Sequence, residues 1–447
     1  MEPKKICVLG AGLSGLSHAL GRQEAGDEVT VIDRQSQVGG VLQSNKIDGY
    51  LVDYGANTLS LRSKKIADYL KKYNILEHAI DANLECAKRF IVKQNKIVSL
   101  PQGFISFFTS SFLSIRGKLR LGMEPFLPRL KNNPEDESMG AFVKRRLGQE
   151  ALDYAANPFI GGIYASRPES LILKHAFPNL QQLEEKYGSV LKGMVKGGIN
   201  QEDKLPKTRL ISFENGMHEL PHRLAKHLQC ELLLSCNILE VKRESNGLWT
   251  ILVESKEKGR VEKKFDEVIC TLPSHCLPKI KWHNLDENHL IHVLAEATHP
   301  PLALTFLGYK KEQISHPLDG FGFLVPEVEK RKILGTLFSS TLFSNRAPKQ
   351  KALLTSFVGG ERNPELCGLP DDDLISLADS ENRELLGIQG KPEFTHLVRW
   401  PRSIPLPDHS TTKRLEAASL LKQKNIGLSF SGSHISGAPL PNCLSVT

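Results

Sequence analysis

The sequence predicts an α/β fold whose parts are interleaved along the chain, and three observations lead to this prediction. The first 33 residues alternate strand, helix and strand patterns. From about Gln102 to Lys196 the pattern is helical in character. From Arg209 strand patterns return, and Glu267–Pro273 (EVICTLP) is a short apolar run of the kind found in buried parallel strands.

Length and composition indicate a globular protein of several domains. The chain has 447 residues, with 40% hydrophobic and 24% charged residues, which argues against both disorder and a fibrous architecture. The eight cysteines are scattered, with no C-x-x-C pair and no Cys/His cluster at metal spacing. We therefore expect reduced thiols, a cytoplasmic protein and no bound metal.

The amino terminus, the hydropathy and the charge restrict the partners. A strand pattern begins by Lys5, which leaves no room for a signal peptide, and no apolar window is long enough to span a bilayer. The net charge of +8 suits an anionic membrane surface or a polycarboxylate substrate. The basic residues do not form one long run, so we expect no nucleic-acid partner.

The most informative motif lies in KKICVLGAGLSGLSHALGRQEAGDEVTVID, near the amino terminus. Gly10, Gly12 and Gly15 have the spacing G-x-G-x-x-G between a strand and a helix, where they allow a tight turn, approach of a pyrophosphate and close helix–strand packing. Asp33 ends the second strand, at the place where a carboxylate accepts hydrogen bonds from ribose hydroxyls. This segment therefore predicts a Rossmann-type dinucleotide site.

The segment that follows carries a family resemblance. Gly39 and Gly40 in DRQSQVGG follow Asp33 at the spacing found in the flavoprotein family of amine oxidases and porphyrinogen oxidases, which implies FAD as the cofactor. YLVDYGANTL resembles that family's segment running past the flavin, although Gly55 there is equally a turn residue. Val41 stands where amine oxidases tend to hold an arginine, which argues against an amine oxidase.

Seven further blocks, in order along nearly the whole chain, resemble the protoporphyrinogen/coproporphyrinogen oxidase family. The longest is Glu137–Gly193, and the last is GLSFSGSHISGAPLPNC. The resemblance implies a Rossmann-type FAD-binding domain interleaved with a mixed-sheet substrate domain and a mostly helical insertion. The expected segments are 1–83, 206–280 and 396–447 for the FAD domain, 84–103 and 281–395 for the substrate domain, and 104–205 for the insertion.

The cofactor contacts predicted by the motif and the resemblance come from three parts of the chain. They are Gly10, Ala11, Gly12, Leu13, Ser14, Gly15, Asp33, Arg34, Gly39, Gly40, Val41, Gly55, Ala56, Asn57, Thr58, Val241, Trp400, Ser433, Ala438, Pro439 and Leu440. Val241 takes the place where the family contacts the adenine side through its backbone. Relatives continue past the last block into a helix, whereas this chain ends at Thr447, so the helix is either absent or truncated and FAD affinity is the property affected.

The resemblance also implies the substrate contacts. Arg89 matches an arginine that anchors a propionate, as a planar guanidinium grips a carboxylate with two parallel hydrogen bonds. Leu324, Leu337 and Phe357 match residues that sandwich the pyrrole rings. Gly162, in the apolar stretch NPFIGGIYAS, matches a catalytic glycine whose carbonyl faces the pyrrole N–H groups. Pro158 in the same stretch is interpreted as a helix terminator.

The implied reaction is the oxidation of protoporphyrinogen IX to protoporphyrin IX by an oxygen-dependent oxidase, in three two-electron steps, each of which reduces FAD that dioxygen reoxidises. The alternatives are oxidation of coproporphyrinogen III, an FAD-binding scaffold without catalysis, and another amine-oxidase-like flavoenzyme. The expected partners are the porphyrinogen and dioxygen, and the sequence leaves a homodimer open. FISFFTSSFLSIRGKLRLG mixes phenylalanines with Arg116, Lys118 and Arg120, which fits either peripheral attachment to the inner face of a membrane or a buried helix pair.

Overall fold

The computed structural model describes residues 2–83, 86, 88–129, 136–197, 203–257 and 259–444, with the backbone alone at 104 and 105. The strands are β1 (Lys5–Leu9), β2 (Glu28–Ile32), β3 (Ser44–Ile47), β4 (Tyr50–Asp53), β5 (Leu59–Ser63), β6 (Ala79–Asp81), β7 (Lys88–Lys93), β8 (Lys96–Ser99), β9 (Lys204–Phe213), β10 (Glu231–Leu233), β11 (Cys236–Arg243), β12 (Trp249–Ser255), β13 (Gly259–Phe265), β14 (Glu267–Cys270), β15 (Lys281–His283), β16 (Leu302–Lys310), β17 (Gly320–Leu324), β18 (Ile333–Phe338), β19 (Lys351–Gly359), β20 (Phe394–Trp400) and β21 (Leu428–Phe430).

The α-helices occupy the ends of the parallel strands, the middle of the chain and one face of the large mixed sheet. They are α1 (Leu13–Glu24), α2 (Lys64–Lys72), α3 (Phe104–Thr109), α4 (Ile115–Gly122), α5 (Met139–Leu147), α6 (Gln149–Ala151), α7 (Asn157–Tyr164), α8 (Leu173–Ala176), α9 (Pro178–Tyr187), α10 (Val190–Val195), α11 (Glu219–Ala225), α12 (Leu290–Ala295), α13 (Ser339–Leu342), α14 (Asp371–Leu386), α15 (Thr411–Lys424) and α16 (Ser433–Ser436). The predicted α/β class is confirmed.

A five-stranded parallel sheet forms the first layer, in the order β10-β2-β1-β14-β21. Its central strands are apolar on both faces because both faces are covered, and the last four residues of both β1 and β2 are buried. Strands from residues 5–32, 231–270 and 428–430 thus share one sheet. In an open parallel sheet, ligands bind outside the carboxyl ends of the strands, where the glycine-rich turn after β1 lies.

A seven-stranded mixed sheet forms the second layer, in the order β20-β16-β19-β18-β17-β7-β8. Its pairs are antiparallel except β17 with β7. Helix α14 covers one face, where Leu374, Ala378 and Leu386 pack against residues such as Ala303 and Leu354. On the opposite face of the same strands, Leu304 and Leu353 pack against Tyr50 and Val52 of β4.

The insertion is helical, as predicted, and is held together by a buried ion pair. Glu124 accepts hydrogen bonds from Arg146 Nε at 2.9 Å and from the backbone N–H of Val190 at 3.0 Å. Burial is favourable here because each charge is both paired and hydrogen-bonded. The pair joins the turn after α4 to α5 and α10.

The interpretation of Pro158 as a helix terminator is wrong. Residues 152–156 form a π-helical turn, and α7 begins directly after it at Asn157 and runs through Pro158 to Tyr164. Pro158 is the second residue of α7, a position where a missing N–H costs no regular helical hydrogen bond, and the wider π turn relieves the clash of its ring. The helix ends instead at Ala165, which adopts a left-handed conformation with φ of 52° and donates its N–H to Gly161 O at 3.1 Å.

Membrane-spanning character is not found in the described part of the chain. None of the helices there combines the length and the apolar composition that a bilayer crossing requires.

Candidate cofactor and substrate site

The glycine-rich turn after β1 leaves backbone N–H groups open at the start of α1. Gly10 has a φ of +107°, and a Cβ at Gly15 would lie 1.8 Å from Gly10 O, so neither position accepts a side chain without strain. A Cβ at Gly12 would meet nothing within 4 Å, so the space beside this residue is open. The first N–H groups of a helix have no acceptor within the helix and attract an anion. The turn is therefore suited to a pyrophosphate.

Asp33 braces this turn at the end of β2. Its Oδ2 accepts the N–H of Ala11 at 2.7 Å, and its Oδ1 accepts the N–H of Gln35 at 2.8 Å. A carboxylate has about four acceptor positions, so ribose hydroxyls can still bond to it. Arg34, the next residue, is exposed.

Gly39 and Gly40 pack against the same turn. Both have positive φ, at +115° and +59°, and Gly39 donates its N–H to Ala11 O at 2.8 Å. A Cβ at Gly40 would lie 3.3 Å from the Cα of Gly12, so glycine here permits the close approach of the two loops. Val41 follows with 55% of its surface exposed, which is unusual for valine and fits the wall of a cleft.

The segment Gly55–Thr58 passes beside Val41 and lies next to β20, in the carboxyl-terminal part of the chain. A Cβ at Gly55 would lie 2.4 Å from Val41 O, so this position also requires glycine. The four residues are half-buried between buried strands. Trp400 donates its indole N–H to Tyr54 O at 2.7 Å, which brings the predicted residue on β20 next to Gly55.

The carboxyl-terminal block completes the cleft. Leu440 packs on the core cluster that contains Leu13 and Leu16 of α1. Ser433 begins α16 directly after β21, and Ala438 and Pro439 connect it to Leu440.

The neighbouring side chain of His434 is 4% exposed, and neither of its ring nitrogens has a hydrogen-bond partner within the described ranges. Burial, together with the nearby Arg414, His299 and His275, lowers the pKa of His434 to about 3. Buried polar atoms without partners are rare and call for a missing group. The glycine cradles, the open helix N-terminus and this histidine fit a bound dinucleotide such as FAD.

Val241 is the predicted cofactor residue that the structure does not bring to this cleft. It is fully buried in the middle of β11, and it pairs with Ile251 on one side and Trp282 on the other. The part of β11 that reaches Asp33 is its start, where Cys236 donates its N–H to Asp33 O at 2.9 Å. Five residues of strand span roughly 16 Å. The backbone around Cys236, which sequence reasoning missed, is the segment of β11 nearest to the ribose position.

Leu324, Leu337 and Phe357 share one face of the seven-stranded sheet. Leu324 pairs with Gly335, Gly335 pairs with Phe357, and Leu337 lies two residues beyond Gly335 on β18. All three side chains are half-buried, although their strands are otherwise mostly buried. Gly335 pairs with both Leu324 and Phe357, and a Cβ there would lie 3.3 Å from Leu324 Cδ2, so the leucine packs over this position. The three residues therefore line an apolar groove.

Gly162 lies in the last turn of α7, against this groove. A Cβ on Gly162 would lie 2.7 Å from Leu324 Cδ2, so the helix backbone approaches the wall as closely as glycine allows. Gly161 O accepts the N–H of Ala165, but in the described part of the chain no donor is recorded for Gly162 O. The last four carbonyls of a helix have no partner within the helix. Gly162 O thus has no hydrogen-bond partner among the described residues, and the helix that carries it lies against an apolar wall.

Arg89 lies on β7, at the far side of β17 from Leu337. Its Nη1 donates to Cys86 O at 3.1 Å, and its guanidinium stacks 4.1 Å from the centre of the Phe321 ring. Burial lowers the pKa of Arg89, which means that its charge is only partly solvated. A carboxylate bound there would add charge-assisted hydrogen bonds to this guanidinium.

Sequence reasoning missed a polar cluster behind α7 that consists of Asn157, Glu327 and Arg362. Arg362 donates to Asn157 Oδ1 at 2.8 Å, and the Asn157 amide donates to Glu327 Oε2 at 3.2 Å. The signal available in the sequence was that Arg362 follows the predicted contact Phe357 by five residues.

No group of histidine, cysteine and carboxylate side chains in the described ranges is arranged to hold a metal.

Comparison with known proteins identifies the family of this chain. The model of the flavin containing amine oxidoreductase family matches residues 13–444. Protoporphyrinogen oxidase 2, chloroplastic/mitochondrial, of Arabidopsis thaliana is 33% identical over 97% of this chain and 90% of its own length. Coproporphyrinogen III oxidase of Staphylococcus aureus is 26% identical over 99% of this chain and 97% of its own length.

Solved structures share the fold. A crystal structure from Exiguobacterium sp. 255-15 covers 100% of this chain and 97% of its own, with a TM-score of 0.80 and 20% identity. A variant of putrescine oxidase covers 99% of this chain and 96% of its own, with a TM-score of 0.69 and 16% identity. The chain therefore belongs to the family of flavin-containing amine oxidoreductases, in the branch of the protoporphyrinogen and coproporphyrinogen oxidases.

Proposed function

We propose that the protein oxidises protoporphyrinogen IX to protoporphyrin IX with FAD as its cofactor and dioxygen as the electron acceptor. The substrate loses six hydrogens, and three molecules of dioxygen become three molecules of hydrogen peroxide. The observation that carries the proposal is the close approach of Gly162 to Leu324, on the sheet face that also carries Leu337 and Phe357, in a chain whose relatives are named for this substrate class.

The groove suits the shape of the substrate. A porphyrinogen is a large apolar macrocycle, and such ligands bind in mostly apolar pockets with a few polar groups that set orientation. The half-buried leucines and phenylalanine offer apolar contact to the ring. Water is excluded from the reacting carbons when the ring fills this space.

Two polar groups orient the macrocycle. The carbonyl of Gly162 accepts hydrogen bonds from pyrrole N–H groups at the centre of the ring, since this oxygen has no recorded donor in the described part of the protein. Arg89 holds a propionate at the rim, where two parallel N–H···O bonds fix both position and angle. With centre and rim held, the methylene bridges come to a fixed place relative to the cofactor cleft.

The cofactor is held by this chain's backbone and cleft residues. The N–H groups at the start of α1 and the loops at Gly12 and Gly40 would hold its phosphates, Asp33 would hold its ribose, and the segment that begins at Gly55 would run past its flavin. When bound, FAD supplies a two-electron acceptor for the hydrogen lost from the substrate carbon. The residues around it bind and orient; we assign them no proton transfer.

Coproporphyrinogen III is the second candidate substrate, favoured by the 26% identity to the Staphylococcus aureus coproporphyrinogen III oxidase. It carries four carboxylates instead of two and needs more cationic partners. Purified protein given each porphyrinogen in air should develop porphyrin fluorescence with protoporphyrinogen at the higher kcat/KM. Faster turnover of coproporphyrinogen would reverse the substrate assignment. Failure to oxidise either, with flavin bound, would point to a scaffold without catalysis.

Peripheral membrane contact through α4 also belongs to the proposal. Ile115, Leu119 and Phe126 are 78%, 65% and 84% exposed, and the first two share one helix face. The basic residues nearby do not all face outward, because Lys118 bonds Phe108 O and Ser110 O. The surface thus offers apolar contact more than charge, as an interfacial helix does. A homodimer stays a prediction, tested by molar mass in solution.

A further inference from the structure

Arg362 connects three of the segments that carry predicted substrate contacts, namely those of Gly162, Leu324 and Phe357. It lies in the loop after β19, with a side chain that is 5% exposed. Its Nη1 donates to Val325 O at 2.5 Å, and its Nη2 donates to Asn157 O at 2.9 Å and to Asn157 Oδ1 at 2.8 Å. One guanidinium group therefore bonds to the residue after Leu324 and to the first residue of the helix that carries Gly162.

The fit of α7 against this guanidinium is tight. A Cβ at Gly161 would lie 2.6 Å from Arg362 Nη2, so the first of the two adjacent glycines makes room for Arg362 and the second makes room for Leu324. Gly161 of this helix therefore packs against Arg362, and Gly162 packs against Leu324 in the groove wall. This explains why the pair Gly161-Gly162 occurs in an otherwise apolar helix.

Neighbouring polar groups hold the same arrangement at both ends of α7. Glu327 donates its N–H to Asn157 Oδ1 at 2.9 Å, and its carboxylate accepts from Arg167 Nε at 2.9 Å. Glu361, next to Arg362, donates its N–H to Ala165 O at 2.8 Å. Two consecutive residues of one loop therefore fix the start and the end of the helix.

We infer that Arg362 is a positioning residue that sets the distance between the Gly162 carbonyl and the groove of Leu324, Leu337 and Phe357. The inference rests on the proposed function, because it assigns a consequence to the spacing of those groups. A lysine cannot replace this arginine, since an ammonium group lacks the rigid planar fork that reaches acceptors on two segments at once. Arg362 does not touch the substrate and acts through the position of α7.

Arg331 provides a matched control. Its side chain is 7% exposed, and it also bonds to two segments, donating to Glu381 Oε2 at 2.8 Å on α14 and to Asn95 Oδ1 at 3.0 Å. It lies on the α14 side of the same sheet. The variants R362K and R331K thus each lose a buried guanidinium that bonds to two segments. Arg362 lies next to the groove, whereas Arg331 lies on the α14 side of the sheet.

The test measures the FAD content of each variant and its KM and kcat for protoporphyrinogen IX. R362K should keep its FAD while kcat falls by about tenfold or more, because a displacement of the order of 1 Å is costly to a positioned reaction. R331K should keep kcat within about twofold. G161A, which pushes on Arg362, should reproduce the loss seen in R362K. Wild-type kcat in R362K, or an equal loss in R331K, would overturn the inference.

Amide hydrogen exchange separates this inference from the proposed function. R362K should raise exchange at residues 157–164 relative to wild type, and R331K should not. If wild-type protein oxidises neither porphyrinogen, the proposed function fails, and the exchange of α7 still decides whether Arg362 holds the helix. Unchanged exchange in R362K would contradict the positioning role in either case.

Discussion

At the scale of single residues, the site depends on glycines, whose lack of a side chain allows neighbouring atoms to approach closely. Gly15, Gly55 and Gly162 have ordinary backbone angles, and each is required by the distance to a neighbour: a Cβ would lie 1.8 Å from Gly10 O, 2.4 Å from Val41 O and 2.7 Å from Leu324 Cδ2, respectively. The first two distances end on backbone that cannot move away. The third ends on a flexible leucine, so a side chain at Gly162 is compatible with folding and alters the groove.

Gly162 is the first residue to test. G162V should lower kcat/KM by at least about tenfold while FAD stays bound, because the side chain displaces Leu324 and crowds the open carbonyl. The control is G21A in α1, where a Cβ meets nothing within 4 Å. That variant should be active and slightly more stable, as alanine is favoured over glycine in helices. Normal turnover by G162V would remove the residue from the site.

Arg89 is the second. R89A should raise KM by roughly 10- to 100-fold with a smaller effect on kcat, since a charge-assisted hydrogen bond contributes about 1.5–3 kcal/mol. The neighbouring Lys88 pairs with Asp319 at the surface, so K88A is the control and should leave KM unchanged. Steady-state kinetics measure both. An unchanged KM in R89A would show that the propionate binds elsewhere.

At the scale of elements, the sequence predicted those that follow from local patterns. The strand–helix–strand start and the helical insertion are confirmed, because apolar periodicity and turn residues specify them locally. The end of a helix at Pro158 was wrong, since a π-helical turn is not visible in residue patterns. Val241 was predicted to contact the cofactor, but the start of β11, and not its middle, meets Asp33. Residue patterns do not reveal which part of a strand meets a neighbour, because strand register is set by tertiary packing.

Helix α4 carries the prediction at this scale. L119E, with its charge on the exposed apolar face, should reduce sedimentation of the protein with anionic liposomes by several-fold, because burying a carboxylate in the interface is costly. Ile426 is 75% exposed beside the parallel sheet, so I426E is the matched control and should sediment as wild type. Equal sedimentation of L119E and wild type would remove α4 from the membrane surface.

At the scale of the whole molecule, the site exists because distant parts of the chain converge. The cleft combines residues 10–58, Trp400 and 433–440, and the groove combines Gly162 with β17, β18 and β19. The family resemblance identified most of these positions, and they remain predictions as contacts. The Arg362 arrangement was not predictable, because it requires the packing of three segments, of which the one at Asn157 lies 205 positions from Arg362.

The convergence of a cofactor cleft and a porphyrinogen groove is the central claim, and anaerobic reduction of the bound flavin tests it most directly. Protein loaded with FAD is mixed with protoporphyrinogen IX or coproporphyrinogen III without dioxygen, and the loss of the oxidised flavin absorbance is followed. We predict rapid bleaching with protoporphyrinogen, slower bleaching with coproporphyrinogen, and return of the absorbance when air is admitted. Flavin that neither porphyrinogen bleaches would contradict the account.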